Sequence, residues 1–236
     1  YFIYKYCFFL TIHQRMCLPI MPNTKQINTD NWHDTIARIT SKEFSPSDEI
    51  KILDFGGGDG DGYHEINKRL APLGYNLNWN ILELPFFVDK YKKQENKNLK
   101  WHSKICDVEQ KIDILYSDAS IQCVLKWKEK MDELCSTNPK YVFINRIPLV
   151  NHDTFKARVF RRPEYMYGIS GNDDEFQVWF INEEEFIGHM DCLGYSLIQK
   201  TFHSIHNQYE PLVLDSNPDE PKERKSLVFK KRDKHA

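Results

Sequence analysis

Apolar positions along the chain recur with two periods, and the changes of period mark its elements. The first clear stretch covers 30–40, where Trp32, Ile36 and Ile39 fall on one side of a helix and Thr29 or Asp30 can cap it. A strand is predicted over 49–55 (EIKILDF), after a break at Ser45-Pro46-Ser47. A helix follows from 61 to about 70, with Ile66 and Leu70 inward and Pro72 and Gly74 as its stop. Further strands are predicted at 79–84 (WNILEL), 99–103, 112–116 (IDILY) and 141–144 (YVFI). The last is almost wholly apolar, as a strand covered on both faces should be. Pro85 opens a helix to about 93, since proline is tolerated in a first helical turn. A longer helix is predicted over 119–135, with Ile121, Val124, Leu125, Met131, Leu134 and Cys135 as its buried stripe.

Past Pro148 the pattern weakens. Residues 151–178 mix charge with aromatics, and turn residues stand at Gly168 and Gly171-Asn172-Asp173. Periodicity returns in a helix over 183–193, capped by Asn182 with Glu185 three residues on, and stopped by Gly194. Residues 195–202 and 226–231 read as two final strands, linked through Pro211, Pro218 and Pro221. Strands alternating with helices predict a parallel sheet with right-handed crossovers and helices on both faces. The two late strands have no helix between them, which predicts an antiparallel edge hairpin. The expected class is α/β, a doubly wound, mostly parallel seven-stranded sheet.

Composition narrows the picture. The chain has 236 residues, 41% hydrophobic and 28% charged, with a net charge of -2. That charge argues against a general nucleic-acid grip, which needs a basic field. The six cysteines show no CxxC spacing and none lies beside a histidine pair, so no metal site is expected. Reduced, mostly buried thiols in a cytoplasmic protein are the expectation. Residues 1–22 are set apart as a leader. Their first ten (YFIYKYCFFL) are interrupted by Lys5 and fall short of the roughly 20 apolar residues of a membrane span. They also lack a basic segment and a cleavage site of small residues.

The most informative stretch joins the strand at 49–55 to the helix at 61. Gly56, Gly57, Gly58, Gly60 and Gly62 crowd this turn. Glycine there gives a tight turn and close backbone approach to a ligand, and the helix presents free N–H groups at its amino end. Three readings fail. A P-loop needs Gly-Lys-Ser/Thr. The dinucleotide pattern needs a glycine where Asp61 stands, and a calcium loop opening at Asp59 needs a glutamate where Leu70 stands. What remains is Asp54-x-Gly56-x-Gly58-x-Gly60, with an acid at the strand end that suits a cationic ligand. Glu83 closes the second strand, where a carboxylate can bind ribose hydroxyls. S-adenosyl-L-methionine, with a sulfonium, an amino group and no phosphate, fits both acids.

These residues resemble class I S-adenosylmethionine-dependent methyltransferases, whose sheet is Rossmann-like. More narrowly, the chain resembles a methyltransferase family often encoded near bacterial surface-polysaccharide genes. The matching stretches are LDFGGGDGDGY (53–63), WNILELP (79–85), LKWHSK (99–104), DILYSDASIQCV (113–124) and NRIPLV (145–150). NRIPLV resembles an Asp-Arg-Thr-Pro segment of that family, with Asn145 and Ile147 as departures. A fainter match is the aromatic run FQVWFI (176–181), taken as leading into a helix, followed by LGYSL (193–197). The resemblance implies cofactor binding by Asp54, Phe55, Gly56, Gly57, Gly58 and Gly60, and by Glu83 with Leu84. It implies adenine contacts near Ser103 and Lys104, and a cofactor-facing strand end at Ser117-Asp118. It implies one methyltransferase domain over 23–236, with 151–225 as insertions on the acceptor side.

Methyl transfer from a sulfonium is an in-line displacement, so much of the catalysis is positioning. A hydroxyl acceptor also needs a base within hydrogen-bond reach. Asp118 can serve as base, hold the acceptor, or simply cap the helix predicted after it. Arg146 can hold an anionic acceptor or make a structural ion pair. His152 is the nearest histidine to that edge and has a usable pKa. The arginine–aromatic segment 155–167 (FKARVFRRPEYMY) can line an acceptor pocket. The expected activity is O-methylation of a small molecule or a sugar or glycan precursor. The expected partner is that acceptor, with no specific nucleic acid and no membrane span, and no oligomeric state is indicated. The competing readings are a non-catalytic binding or partner subunit that kept the fold, and a nucleic-acid methyltransferase. The second lacks an Asn/Asp-Pro-Pro-Tyr motif where Ser117-Asp118-Ala119-Ser120 stands.

Overall fold

The computed structural model describes residues 32–108, 111–160, 175–204 and 223–233. Helix α1 (Trp32–Glu43) precedes β1 (Glu49–Phe55), α2 (Asp61–Leu70), β2 (Asn76–Leu82), α3 (Pro85–Tyr91), β3 (Leu99–His102) and β4 (Ile114–Asp118). Helix α4 (Trp127–Cys135) leads into β5 (Tyr141–Ile147). Then come β6 (Leu149–Val150), β7 (Phe155–Phe160), β8 (Glu175–Asn182), α5 (Glu183–Cys192), β9 (Tyr195–Ser204) and β10 (Glu223–Lys231). The predicted leader over 1–22 and the caps Thr29 and Asp30 lie outside the described residues.

Seven strands make one sheet in the order β3-β2-β1-β4-β5-β10-β9. The first five are mutually parallel, and β10 runs antiparallel to both β5 and β9. This is the Rossmann-like, mostly parallel seven-stranded sheet with an antiparallel edge hairpin that the periodicity predicts. The strand order reverses between β1 and β4, and ligands bind such sheets outside the carboxyl ends at that point.

Side-chain alternation builds two cores, one on each face. Ile50, Ile52, Trp79, Ile81, Ile114, Tyr116, Tyr141 and Phe143 pack with Trp32, Ile36 and Ile39 of α1, Tyr63, Ile66 and Leu70 of α2, and α3. Leu53, Phe55, Leu115, Val142, Ile144, Leu227 and Phe229 pack with Trp127, Met131 and Leu134 of α4 and Phe186 and Met190 of α5. Asn182 caps α5 as expected, its side chain accepting from the Glu185 N–H. Among the described residues no helix is long and apolar enough to cross a membrane.

Three expectations are corrected. The helix predicted over 119–135 is broken: Ala119 has φ 53°, a single 3-10 turn covers Ile121–Cys123, and α-helix begins only at Trp127. The cause is that pairing outlasts β4, since the Ala119 N–H donates to Asn145 O at 3.0 Å. Leu125, assigned to the buried stripe, is 60% exposed. The run 176–181, where no strand is predicted, is strand β8, and it leads into α5 as expected. It pairs antiparallel with β7 and parallel with β6 in a second, three-stranded sheet. β6 leaves the carboxyl end of β5, and Trp179 Nε1 donates to Val124 O at 2.9 Å, tying the small sheet to the broken helix. The arginine–aromatic segment is therefore strand as far as Phe160, and the rest of it lies outside the described residues. Among the described residues Cys106 and Cys192 are exposed thiols, against the expectation of mostly buried ones, and Cys135 is a buried one.

The glycines make opposite demands on substitution. A Cβ on Gly56, at φ +75°, would lie 2.3 Å from Ser120 Oγ, whereas one on Gly188 in α5 would meet nothing within 4 Å. Gly56→Ala is expected to lose about 2–4 kcal/mol, the sum of left-handed strain and overpacking. Gly188→Ala is expected to gain about 0.5–1 kcal/mol of helix propensity. Urea denaturation of the two variants against the parent checks both signs.

Candidate functional site

The carboxyl edge of the sheet gathers the charged residues that the sequence singles out. Asp54 sits one residue before the end of β1, beside Ile81 of β2 and Tyr116 of β4. It shares the α1/α2 face with Trp79 and Tyr116, whose rings meet edge to face at 6.0 Å. Trp79 Nε1 donates to Asp54 Oδ2 at 3.0 Å, and Asp54 Oδ1 is buried with no hydrogen-bond partner among the described residues. Burial pushes the Asp54 carboxyl well above its ordinary range. The Trp79 hydrogen bond opposes that, while the charges of Asp118, Glu83 and Asp59 add to it.

The glycine loop folds onto this carboxylate. A Cβ on Gly57 would lie 2.3 Å from Asp54 Oδ2, and one on Gly60 would press on Trp101, Leu99 and Ile81 at 3.3–3.6 Å. The missing side chains thus first let the loop close on its own strands. Gly60, at φ 87°, begins α2 without any side-chain cap. Gly58 fixes the loop in two directions. Its N–H donates to Glu83 Oε1 at 3.2 Å, and its carbonyl accepts from Trp101 Nε1 at 2.7 Å.

Glu83 follows β2 and is buried. Its Oε2 accepts from the Leu84 N–H at 2.8 Å. Burial raises its carboxyl to about 7, against the two backbone hydrogen bonds that favour the ionised form. Leu84 is partly buried at the amino end of α3, while Ser103 and Lys104 are exposed just past β3. Phe55 turns away from the loop into the α4/α5 core, so only its backbone faces the glycines. Ser117, on that same face, is buried with its Oγ unpartnered among the described residues.

Asp118 and Arg146 form an ion pair, Nε to Oδ1 at 2.5 Å, and the Tyr116 hydroxyl donates to Asp118 Oδ2 at 3.2 Å. Burial works to raise Asp118. The charge and hydrogen bond of Arg146, together with His33 and Asn145, outweigh it and hold the carboxyl below its ordinary range. Asp118 caps no helix, since none starts there.

Arg146 reaches this pair through an irregularity in β5. Ile144 and Ile147 both belong to the α4/α5 core, a spacing of three that strict alternation forbids. Across β10, Ile144 pairs with Leu227 and Ile147 with Lys225, so β5 carries one extra residue there. Arg146 has φ 54°, and its N–H donates to Ser226 Oγ at 3.4 Å. Such bulges re-aim side chains. This one turns Arg146 onto the face of Asp118.

His152 sits apart from that pair. Its ring stacks on Phe155 at 5.4 Å, its Nδ1 lies 3.2 Å from Asp153 O, and its carbonyl accepts from Asn182. Sequence reasoning missed His33, Tyr116 and Arg224. Tyr116 was legible as an inward position of its strand. His33, at the start of α1, and Arg224, on the returning strand, reach the site only through tertiary packing.

The fold is Rossmann-like, a mostly parallel sheet with polar residues gathered at the switch point between β1 and β4. Solved structures share that fold at low identity. A magnesium protoporphyrin IX methyltransferase from Synechocystis PCC 6803, with bound SAH, superposes with a TM-score of 0.52 at 9% identity, covering 85% of this chain and 82% of that one. An S-adenosylmethionine-dependent methyltransferase from Clostridium acetobutylicum gives 0.53 at 13% identity over 86% and 91%. A SAM-dependent methyltransferase from Methanosarcina mazei gives 0.52 at 12% over 82% and 96%. No protein-family model matches the chain, and no curated protein matches it in sequence.

Glu83 carries a testable pH signature. Its folded carboxyl, raised from 4.5 to about 7, contributes stability that is full below pH 4.5 and lost as the pH rises through 7. Stability of the ligand-free parent is expected to fall across that window relative to Glu83→Gln, by on the order of 2–3 kcal/mol. Urea midpoints of both proteins at pH 5 and pH 7.5 measure the difference.

Proposed function

We propose that the chain is an S-adenosylmethionine-dependent methyltransferase acting on a small-molecule acceptor. The observation that carries this reading is the buried, unpartnered Asp54 Oδ1 at the carboxyl edge of a sheet of methyltransferase architecture. A buried acceptor without a donor is costly, and a ligand ammonium or sulfonium would remove that cost. The neighbouring acids Glu83, Asp59 and Asp118 favour a cation there and would repel phosphates.

When bound, S-adenosylmethionine supplies an electrophilic methyl group. In this reading Glu83 accepts from the ribose hydroxyls, and Asp54 with the turn Gly56–Gly60 receives the amino acid end. Ser103, Lys104 and Leu84 border the adenine, with Ser117 behind the strand ends. Trp79 and Tyr116 exclude water beside Asp54, which strengthens charge interactions there.

The acceptor side follows from β4 and β5. Held ionised by Arg146, Asp118 is a weak base, so its role in this reading is to orient the acceptor. Arg146 fixes Asp118. A hydroxyl acceptor loses its proton as the new bond forms, and His33 in its neutral form, at the start of α1 within electrostatic reach of Asp118, is the base this reading favours over His152. O-methylation of a small molecule or a sugar or glycan precursor is the finer form of the proposal. A non-catalytic binding subunit is the alternative, and it predicts cofactor affinity without turnover.

Two measurements separate these. Asp54→Asn keeps an acceptor for Trp79 but removes the charge, and it is expected to weaken S-adenosylhomocysteine binding at least tenfold by calorimetry with an unchanged circular dichroism spectrum. Gly58→Val is expected to abolish binding. Unchanged affinity in both sinks the site assignment. With tritiated methyl donor and pooled small-molecule acceptors, the parent is expected to transfer label, and Asp118→Asn to cut that transfer at least tenfold while still binding S-adenosylhomocysteine.

A further inference from the structure

The half of the carboxyl edge farthest from Glu83 has the opposite charge. Strand β10 keeps strict alternation: Leu227 and Phe229 face the α4/α5 core and Val228 the α1/α2 core. Ser226 and Arg224 therefore fall on the face of Val228, which is the face of Asp118. Ser226 is bound there, its Oγ donating to Asn145 Oδ1 beside the bulge. Lys225, by contrast, pairs with Glu183 on α5, on the other face. Since Lys225 pairs with Ile147 at the end of β5, Arg224 lies at or just beyond the carboxyl edge.

Arg224 is partly buried there, and among the described residues its guanidinium makes no hydrogen bond and no ion pair. Burial and the like charge of Arg146 lower its guanidinium to about 10, with only Asp118 opposing. Asp118 already has Arg146 in direct contact. Two guanidinium groups thus share one carboxylate. A second cation held this way gains from an anion more than from solvent, because partial burial weakens its hydration.

We propose that Arg224, beside Arg146, binds a carboxylate group on the methyl acceptor. This rests on the methyltransferase reading and narrows its substrate class to acids. The planar guanidinium matches a carboxylate in two-pronged geometry, which lysine does not. The acceptor is then held at β5 and β10 by its charge, with its reacting atom directed toward the acidic half at β1 and β4. Opposite fields at the two ends orient a molecule that is anionic at one end.

The test uses the full chain with benzoate as the carboxylate probe, benzamide as its uncharged counterpart and inorganic phosphate as the alternative anion. Calorimetry is expected to show one-to-one, saturable benzoate binding, none for benzamide, and weaker binding for phosphate. Arg224→Gln is expected to weaken benzoate at least tenfold, and Arg224→Lys to retain part of the affinity, with the thermal melt of each variant as the fold control. Equal benzoate affinity in the parent and Arg224→Gln, or no saturable binding in the parent, overturns the proposal. Phosphate binding as tightly as benzoate overturns the choice of carboxylate. The parent is titrated with S-adenosylhomocysteine in parallel. Loss of benzoate in Arg224→Gln without any S-adenosylhomocysteine binding leaves the anion site standing and removes the methyltransferase reading. The reverse pattern removes only the anion site.

Discussion

The structure depends on how much negative charge one sheet edge can hold. Asp54, Asp59, Glu83 and Asp118 converge at the carboxyl ends of β1, β2 and β4, and two of them sit behind aromatic rings or loop backbone. Ionising all of them together in such surroundings is unfavourable. Three of them are managed differently. Asp118 keeps its charge through Arg146, Glu83 through two backbone N–H groups only in part, and Asp54 through a single tryptophan N–H hardly at all. The edge is left short of positive charge. In the proposed reading a cationic methyl donor supplies what the chain withholds.

The glycine loop follows from the same constraint. Its glycines bring backbone against Asp54 and Ser120, closer than any Cβ allows. The loop is thus a lid over a buried acid before it is a cradle for a ligand. The β5 bulge answers on the other side by turning an arginine onto Asp118, and β10 adds a second arginine beyond it. The site is acidic toward β2 and basic toward β10, and the boundary falls at Asp118.

Much of this was legible in the sequence because it is local. Period and turn chemistry locate all seven strands of the main sheet, and Asp54, Glu83 and the glycines announce themselves by spacing. The misread parts depend on contacts distant in sequence. The apolar stripe after Asp118 has helical spacing, but pairing to Asn145 holds Ala119 in a left-handed turn and delays the helix to Trp127. FQVWFI alternates weakly, and its pairing with β7 and β6 makes it a strand. Arg224 carries no local sign of function. It gains one from β10 returning between β5 and β9, a placement that no spacing near residue 224 encodes.

The most direct measurement of the central claim is a crystal structure of the chain with S-adenosylhomocysteine. The account predicts the ribose hydroxyls on the Glu83 carboxylate and the amino group within hydrogen-bond distance of Asp54 Oδ1, over the turn Gly56–Gly60. Ligand density elsewhere, or bound ligand with Asp54 Oδ1 still unpartnered, would contradict it.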